Sequence, residues 1–457
     1  MLLELNDCCV TLSGPDGLRY QAAAYALVSG EQLKFGIEAT SGQRISPLQS
    51  NNLFLDRLSA EPLPRSLGSA SNHADLLYHQ LLEIAPLSAD QSVTVAVPST
   101  LTEAQLSLFL GVAREARLEV MRFVDLATLI AASATLEADA ESVQVLDVGL
   151  HHLTLAEVAL TDTARVAQTA QLPGAGLHQM LEGWMNVVAD RFIQSTRFDP
   201  LHRAQSEQQV FDHLAGWARL NRSDLPPVTQ QTDLRIALSA DGSERSATVA
   251  YSALRDKTRQ RLEGALGRLP EDGICLLSPR AAATPTLLDV ICEARPKLDL
   301  YWPNVSSGDL LARAPTEHPE LFATGGGVEL IKTLDRRPST PLVAAVTNAS
   351  VAAPVPTPAA APTPDGALAS VTESEDEREP RPAATHLLCD GVAIPIERSL
   401  FELGIPLARQ GPLLIAMPGD EPLQTVAGPI GPGTELTSGA RFTWHAREYQ
   451  LICVDTR

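Results

Sequence analysis

Two residues near the middle of the chain are of types that could act together on a phosphate. Asp147 ends an apolar, β-rich run that begins at Val143, and Gly149 follows it in a tight turn. A second apolar run resumes at Leu153. An Asp at a strand end, followed by a Gly that lets backbone N–H groups face inward, is a common way to hold a phosphate and its Mg²⁺. An ordinary β-hairpin accounts for the same residues, so both interpretations stay open here.

A second glycine motif could bind an anion. Gly174 and Gly176 lie in a loop directly before an amphipathic run that starts at Leu177. A Gly-rich loop that opens a helix aims unpaired N–H groups and the positive end of the helix dipole at the loop. A plain turn at the start of the helix is the alternative interpretation.

The histidines and cysteines offer less chemistry. His151 and His152 are adjacent, and neighbouring residues on a strand point to opposite faces, so both can rarely ligate one ion. A place in the hairpin is therefore favoured over a metal site. The six cysteines are scattered without a CxxC pair, which supports neither a zinc ribbon nor a redox motif.

Alternating strands and helices must position these residues. The apolar periodicity predicts two strands within Leu2–Leu12, a helix over Ala74–Ala85, a strand within Gln91–Thr100, a long helix after it, a strand over Leu118–Asp125 and a short helix over Leu126–Thr135. Downstream of the hairpin, two helices are followed by strands that extend to Asp256, and a helix-like run over Glu320–Leu334 contains Gly325. This order is typical of an α/β fold.

Composition excludes several classes of protein. The chain has 457 residues, enough for two or three domains. Its net charge of −20 argues against binding to nucleic acid or to an anionic membrane, because phosphates would be repelled. No apolar stretch approaches the roughly 20 residues that a membrane helix needs. The opening MLLELNDCC has no basic region typical of a signal peptide, so a cytoplasmic location is expected.

The composition changes in the last quarter of the chain. Residues 336–384 are rich in Pro and Ala and contain the charge run ESEDERE, which predicts a disordered, extended linker. Residues 385–457 carry short strand-like runs separated by Gly and Pro, which predicts a small all-β module.

The order of elements over Leu2–Leu334 resembles the nucleotide-binding domain of the actin-like ATPase superfamily, and the DnaK-type heat-shock chaperones fit best. The run VTVAVPSTLTEAQLSLFLGVAREARLEVMRFVDLATLIAASA is the most specific part of this resemblance. It implies a two-lobed fold that holds ATP and Mg²⁺. Asp147 would then be the catalytic and metal-binding residue, and nucleotide contacts would come from Asp7, Gly149, Gly174, Gly176 and Gly325. The C-terminal module is similar to a forkhead-associated domain.

Several positions depart from the family pattern. The first phosphate loop, Asp-Leu-Gly-Thr-Thr-Asn in the family, is Glu4-Leu5-Asn6-Asp7-Cys8-Cys9 here, so a glycine is lost and a carboxylate is added. The catalytic lysine falls on Asp56, and the Gly-Gly of the adenosine loop is Ser278-Pro279. Phosphoryl transfer depends on positioning and on cations that offset the developing charge. These changes predict a sharp loss of hydrolysis.

Three functions follow as hypotheses. The first is a DnaK-like protein with a degenerate ATP site that acts as a binding or assembly module for a protein partner or client. The second is a working, divergent chaperone-type ATPase in which Asp147 holds Mg²⁺ and Asp7 replaces a displaced acidic ligand. The third is a sugar kinase of the same superfamily, with Asp125 or Asp147 as the base.

Overall fold

The computed structural model describes two compact units, Met1–Val355 and Pro356–Arg457. In the first unit it describes residues 1–88, 91–136, 140–227, 231–240, 242–323 and 327–344. In the second unit it describes the segments 386–389, 392–395, 407–410, 413–416, 423–425, 428–429, 435–436, 440–444 and 447–452. The fold is mixed α/β with several sheets.

The first part of unit one begins with a β-meander and continues with alternating helices and strands. Its strands are β1 (Leu2–Glu4), β2 (Val10–Gly14), β3 (Gly17–Ala22), β4 (Ala26–Ser29), β5 (Gln32–Phe35), β6 (Ser50–Asn51), β7 (Pro62–Leu67), β8 (Ala70–Asn72), β9 (Val93–Val97) and β10 (Val120–Asp125). Its helices are α1 (Gly36–Thr40), α2 (His73–Ile84), α3 (Glu103–Glu115) and α4 (Leu126–Ser133).

The second part of unit one repeats this progression with longer elements. Its strands are β11 (Ser142–Val148), β12 (His152–Leu160), β13 (Thr163–Pro173), β14 (Leu234–Ala240), β15 (Ser243–Val249), β16 (Asp272–Leu277), β17 (Lys297–Pro303), β18 (Leu330–Ile331), β19 (Thr333–Asp335) and β20 (Leu342–Ala344). Its helices are α5 (Leu177–Thr196), α6 (Ala204–Trp217), α7 (Tyr251–Leu266), α8 (Pro279–Ala283), α9 (Leu287–Ala294) and α10 (Ser307–Glu317). The predicted hairpin around Asp147 is confirmed as β11 and β12, with β13 as a third strand.

The two large sheets of unit one share one strand order. The first runs β3-β2-β1-β9-β10 and ends on β18, and the second runs β13-β12-β11-β16-β17 between β19 and β20. In both sheets the first three strands in sequence are antiparallel, and the next two run parallel to the first. Unit one therefore contains the same topology twice.

Each half also contributes a helix to the sheet of the other half. Helix α4 comes from the first half and packs on β11, β12 and β13 of the second sheet. Helix α10 comes from the second half and packs on β1, β2 and β3. All eight residues of α4 are buried, which explains why its sequence LATLIAAS is apolar nearly all round. This exchange joins the halves through their cores.

Local sequence explains the starts of α3 and α4 and the packing of α5. Asp125 caps α4, since its Oδ1 accepts from the Thr128 amide at 3.0 Å. Thr102 and Gln105 form a capping box at the start of α3. On α5 the apolar face expected from Leu177 onward is buried, and Trp184 Nε1 donates to Thr258 Oγ1 at 2.9 Å.

Two sequence predictions of secondary structure are wrong. Residues Tyr251–Asp256, predicted as strand, open α7, because Leu254, Thr258, Leu262 and Leu266 repeat every four residues and are buried on one face. The run Glu320–Leu334, predicted as helix-like, contains a 3-10 turn over Pro319–Phe322 and the strands β18 and β19. Gly325 lies outside the described residues.

Strand structure also extends past residue 335, where the linker was expected to begin. Strand β20 pairs antiparallel with β17, and the amides of Ser339 and Thr340 donate to the Ser133 carbonyl. The rest of the expected linker, residues 345–384, lies outside the described residues. Among the described helices, none is long and apolar enough to cross a membrane.

The described parts of unit two are β-strands. These are β21 (His386–Cys389), β22 (Val392–Pro395), β23 (Leu407–Gln410), β24 (Leu413–Ala416), β25 (Gln424–Thr425), β26 (Gly428–Pro429), β27 (Glu435–Leu436), β28 (Arg441–Trp444) and β29 (Arg447–Ile452). They form two sheets, β22-β21-β29-β28-β25-β26 and β23-β24-β27, with antiparallel pairing. The rings of Phe442 and Tyr449 stack at 5.6 Å. These strands agree with the predicted β module, and its likeness to a forkhead-associated domain stays a prediction.

Candidate functional site

The loops that follow β1 and β11 meet between the two halves of unit one. These strands hold the same place in the repeated topology, so the loops are structural counterparts. Asn6 joins them, because its Nδ2 donates both to Asp147 Oδ2 at 3.1 Å and to the Val148 carbonyl at 3.0 Å. Asn6 Oδ1 in turn accepts from the Cys8 amide at 2.9 Å, which fixes the side chain in this bridging orientation.

Asp7 makes the second bridge between the loops. Its Oδ1 accepts from the Leu150 amide at 2.6 Å, while its Oδ2 is buried without a hydrogen-bond partner among the described residues. The residue is 7% exposed. Burial raises the pKa of Asp7, and the neighbouring His151 and His152 oppose that rise. A backbone donor of the predicted phosphate loop thus binds a carboxylate of the chain itself.

The glycines predicted to cradle phosphates are packed against protein atoms. A Cβ on Gly149 would lie 3.0 Å from Asp7 Oδ1 and 3.1 Å from the His152 carbonyl oxygen. A Cβ on Gly176 would lie 2.4 to 2.5 Å from backbone atoms of Leu150, His151 and His152. Both positions therefore need glycine for close packing of the hairpin turn.

The start of α5 is likewise bonded within the chain. The amides of Leu177 and His178 donate to the carbonyls of Gly149 and Leu150, at 3.0 and 2.8 Å. Gly174 has a φ of +72°, and its amide donates to the His151 carbonyl at 3.2 Å. Three amides around this helix start, those of Gly174, Leu177 and His178, therefore already have partners within the chain.

Asp147, predicted to be catalytic and metal-binding, has both carboxylate oxygens engaged. Oδ2 accepts from Asn6, and Oδ1 accepts from Ser278 Oγ at 2.5 Å. Ser278 also caps α8, since its Oγ accepts from the Ala281 amide at 3.0 Å. Burial raises the pKa of Asp147, and the hydrogen bond from Ser278 opposes that rise. Among the described residues, no group of three or more His, Cys, Asp or Glu is placed to hold a metal ion.

Two buried ionisable residues, Arg280 and Glu4, lie near these loops. Arg280 is 6% exposed and donates to the Arg222 carbonyl at 3.0 Å and to Ser223 Oγ at 2.6 Å. Glu4, at the end of β1, is 3% exposed. Burial raises the pKa of Glu4 to about 8, against the favourable charge of Arg280 and with a smaller contribution from Asp147. Sequence reasoning assigned no role to Arg280.

His152 and Asp56 form a polar pair at the mouth of the cleft. His152 Nδ1 lies 3.0 Å from Asp56 Oδ1, and the neighbours Phe54 and Leu55 anchor the Asp56 segment in the core. Burial alone would lower the pKa of His152, but the hydrogen bond with Asp56 and the nearby Asp7 raise it overall. His151 points elsewhere, with Nε2 2.8 Å from the Asn52 carbonyl oxygen. The position matched to the family's catalytic lysine is therefore an acidic partner of a histidine.

A cavity of about 190 Å³ opens between the two halves beside these groups. Its walls are formed by Leu5, Asn6, Asp7, Leu55, Asp56, Leu58, Pro98, Thr100, Leu101, Thr102, Gln105, Phe109, Asp147, Gly149, His152, Thr154 and Gln171. Three of these described residues are aspartates, and none is Lys or Arg. Asp125, the other candidate base for a sugar kinase, is absent from this set of described lining residues and caps α4.

This arrangement does not fit a Mg²⁺-bound triphosphate. The amides of Leu150, Leu177 and His178 have partners, the space beside Gly176 is filled by backbone, and three aspartates line the described cavity. At 4 Å, two like unit charges repel by about 4 kcal/mol where the effective dielectric constant is about 20. A volume of about 190 Å³ is also below the roughly 300 Å³ at which pockets for drug-sized ligands usually begin, so it is small for a nucleotide.

No protein-family model matches this chain, and no curated protein matches it.

Proposed function

We propose that Met1–Asp335 is a degenerate actin-like ATPase domain of the DnaK type, and that the chain acts as a binding or assembly module for a protein partner. The duplicated strand order and the exchanged helices α4 and α10 support the two-lobed part of this proposal. The sequence resemblance over Leu2–Leu334 supports the choice of family.

The proposed loss of nucleotide binding rests on the contact between Asp7 and the Leu150 amide. An amide of the second phosphate loop that would face a phosphate donates here to a carboxylate 143 residues away. A hydrogen bond to a charged group contributes about 1.5–3 kcal/mol net. A nucleotide would have to break this bond, displace Asn6 from Asp147 and approach the aspartates of the cavity. Contacts within the chain therefore occupy the groups that would bind the phosphates.

Titration of the full chain with Mg·ATP and Mg·ADP tests the loss of the nucleotide site. We expect no calorimetric heat, no thermal shift and no phosphate release. For comparison, a ligand at a hundredfold excess over its Kd adds about 2.7 kcal/mol to the free energy of unfolding. ATP hydrolysis that disappears in Asp147→Ala would overturn the proposal, because it would require a working phosphate loop.

One segment carries apolar side chains suited to a protein partner. Ile37, Ile45 and Leu48 are 66%, 48% and 74% exposed within twelve residues. Clustered exposed apolar side chains mark interaction sites more often than single ones do. Quantitative pull-down from the native lysate with Leu48→Asp should lose the partners that the unchanged chain retains. Leu82→Asp, at a 42% exposed position on α2, is the matched control and should retain them.

A further inference from the structure

The cavity between the halves has one strongly polar wall. Asp7, Asp56 and Asp147 line it together with His152. Asp147 is engaged by Ser278 and Asn6, and Asp56 by His152. Asp7 is 93% buried, as Asp147 is, but it differs from both in that one of its carboxylate oxygens has no partner among the described residues. A buried, half-satisfied carboxylate costs free energy unless a donor or a cation completes it.

Apolar side chains also line the cavity. Leu55, Leu58, Leu101 and Phe109 line it from the first half of the chain, and Leu5 adds to it from the loop after β1. Small-molecule sites combine such walls with a few convergent polar groups. No Lys or Arg side chain is among the described lining residues, so a cation entering the cavity meets aspartates without a competing guanidinium or ammonium group.

The volume limits the size of a ligand. An engineered protein cavity of about 150 Å³ binds benzene. This cavity, at about 190 Å³, has room for an apolar group of similar size that carries a short polar substituent. Nucleotides and other phosphorylated molecules are too large and carry the wrong charge.

We propose that this cavity binds a small organic ammonium ion, with the ammonium group paired to Asp7 and the apolar body against the leucines and Phe109. The ligand completes the hydrogen bonding of Asp7 and lowers the net negative charge of the wall. The inference rests on the cavity and does not depend on the resemblance to ATPases, so the two proposals fail separately.

Calorimetric titration of the full chain with benzylammonium, benzyl alcohol and benzoate tests the charge requirement. We expect saturable binding of benzylammonium at millimolar concentrations, at least about tenfold weaker binding of the alcohol and none of benzoate. In Asp7→Asn, which keeps the shape of the side chain, affinity for benzylammonium should fall by about tenfold or more. Asp16→Asn, at an exposed carboxylate, should leave it unchanged. Equal binding of alcohol and ammonium, or an unchanged affinity in Asp7→Asn, would overturn the proposal.

A second measurement keeps the test valid if Asp7→Asn does not fold. In the unchanged protein, NMR resonances of the His152 ring should shift on saturation with benzylammonium, because His152 lines the same cavity. The ring of His213, which is exposed on α6, should not shift. Shifts confined to His213, or no shift at His152 under saturation, would also refute binding at this site.

Discussion

Glu4 makes a quantitative prediction about stability and pH. It lies at the end of β1, is 3% exposed, and its Oε2 has no partner among the described residues. Burial raises the pKa of Glu4 from 4.5 to about 8, although Arg280 favours the ionised form. In the unfolded chain the same carboxyl group ionises at its ordinary value. Folding between these two pKa values must therefore take up a proton.

The direction in which stability changes with pH follows from this proton uptake. For an acid whose pKa is raised in the folded state, stability falls as pH rises from the unfolded pKa to the folded pKa, and then levels off. The slope is about 1.4 kcal/mol per pH unit, so from about pH 5 to about pH 7 the free energy of unfolding loses about 2.5 kcal/mol at this one site. Glu4→Gln keeps the side-chain shape and removes the proton equilibrium.

The measured quantity is the difference in the free energy of unfolding between Glu4→Gln and the unchanged protein. It should move by about 2.5 kcal/mol in favour of Glu4→Gln between about pH 5 and about pH 7. Any other difference between Gln and a protonated Glu at this site displaces the two curves by a constant, because it does not change with pH over this range. Urea unfolding followed by tryptophan fluorescence suits this unit, since Trp184 is fully buried in it.

Glu61→Gln, at an exposed side chain, controls for the removal of one carboxylate. Parallel curves for Glu4→Gln and the unchanged protein would refute the reasoning, because they would mean that Glu4 is ionised in the folded state and neutralises Arg280.

Three further substitutions test the contacts of the cleft. Gly176→Ala should destabilise unit one by about 3 kcal/mol or more in urea unfolding, because the added Cβ would collide with backbone atoms. In Gly174→Ala the added Cβ meets no atom within 4 Å, so this change should cost only about 1 kcal/mol, for the positive φ. Equal losses of stability in the two variants would contradict this. Asp56→Asn should lower the pKa of His152 in an NMR titration, since it removes the hydrogen-bonded carboxylate; an unchanged pKa would contradict the pairing. Ser278→Ala should cost about 1–3 kcal/mol in urea unfolding, because it removes a donor to Asp147 and the cap of α8; a neutral effect would contradict both contacts.

The strands and helices of unit one up to the hairpin β11–β12 were predictable because their signals are local. The hairpin β11–β12 follows from apolar runs around Asp147, and α4 follows from an apolar octet behind a capping Asp125. The strand–helix boundary at Tyr251 was missed because the alternation of β15 runs directly into the four-residue repeat of α7. A local pattern does not show the residue at which the two-residue period of a strand gives way to the helical period.

The residues of the site were predictable only in part. Asp7, Asp147, Gly149 and Gly176 do lie together, as the resemblance implied, and Gly174 lies in the adjoining loop. What they contact was not predictable, since Asp7 meets Leu150 and Asp56 meets His152 across 143 and 96 residues. The opening Glu4-Leu5-Asn6-Asp7 did carry a signal: three polar side chains at the end of a buried strand need partners inside the fold.

The loops after β1 and β11 contribute different hydrogen-bonding groups to their contact. The loop after β11 presents a backbone donor at Leu150, and the loop after β1 presents side-chain acceptors at Asp7. The resemblance to actin-like ATPases implies that both loops would face phosphate. Here the loop after β1 supplies a carboxylate acceptor, so the Leu150 amide has a partner without a ligand. Replacing Asp7 alone would free the Leu150 amide but leave Asp56 and Asp147 on the cavity wall, so a single substitution is not expected to restore a phosphate site.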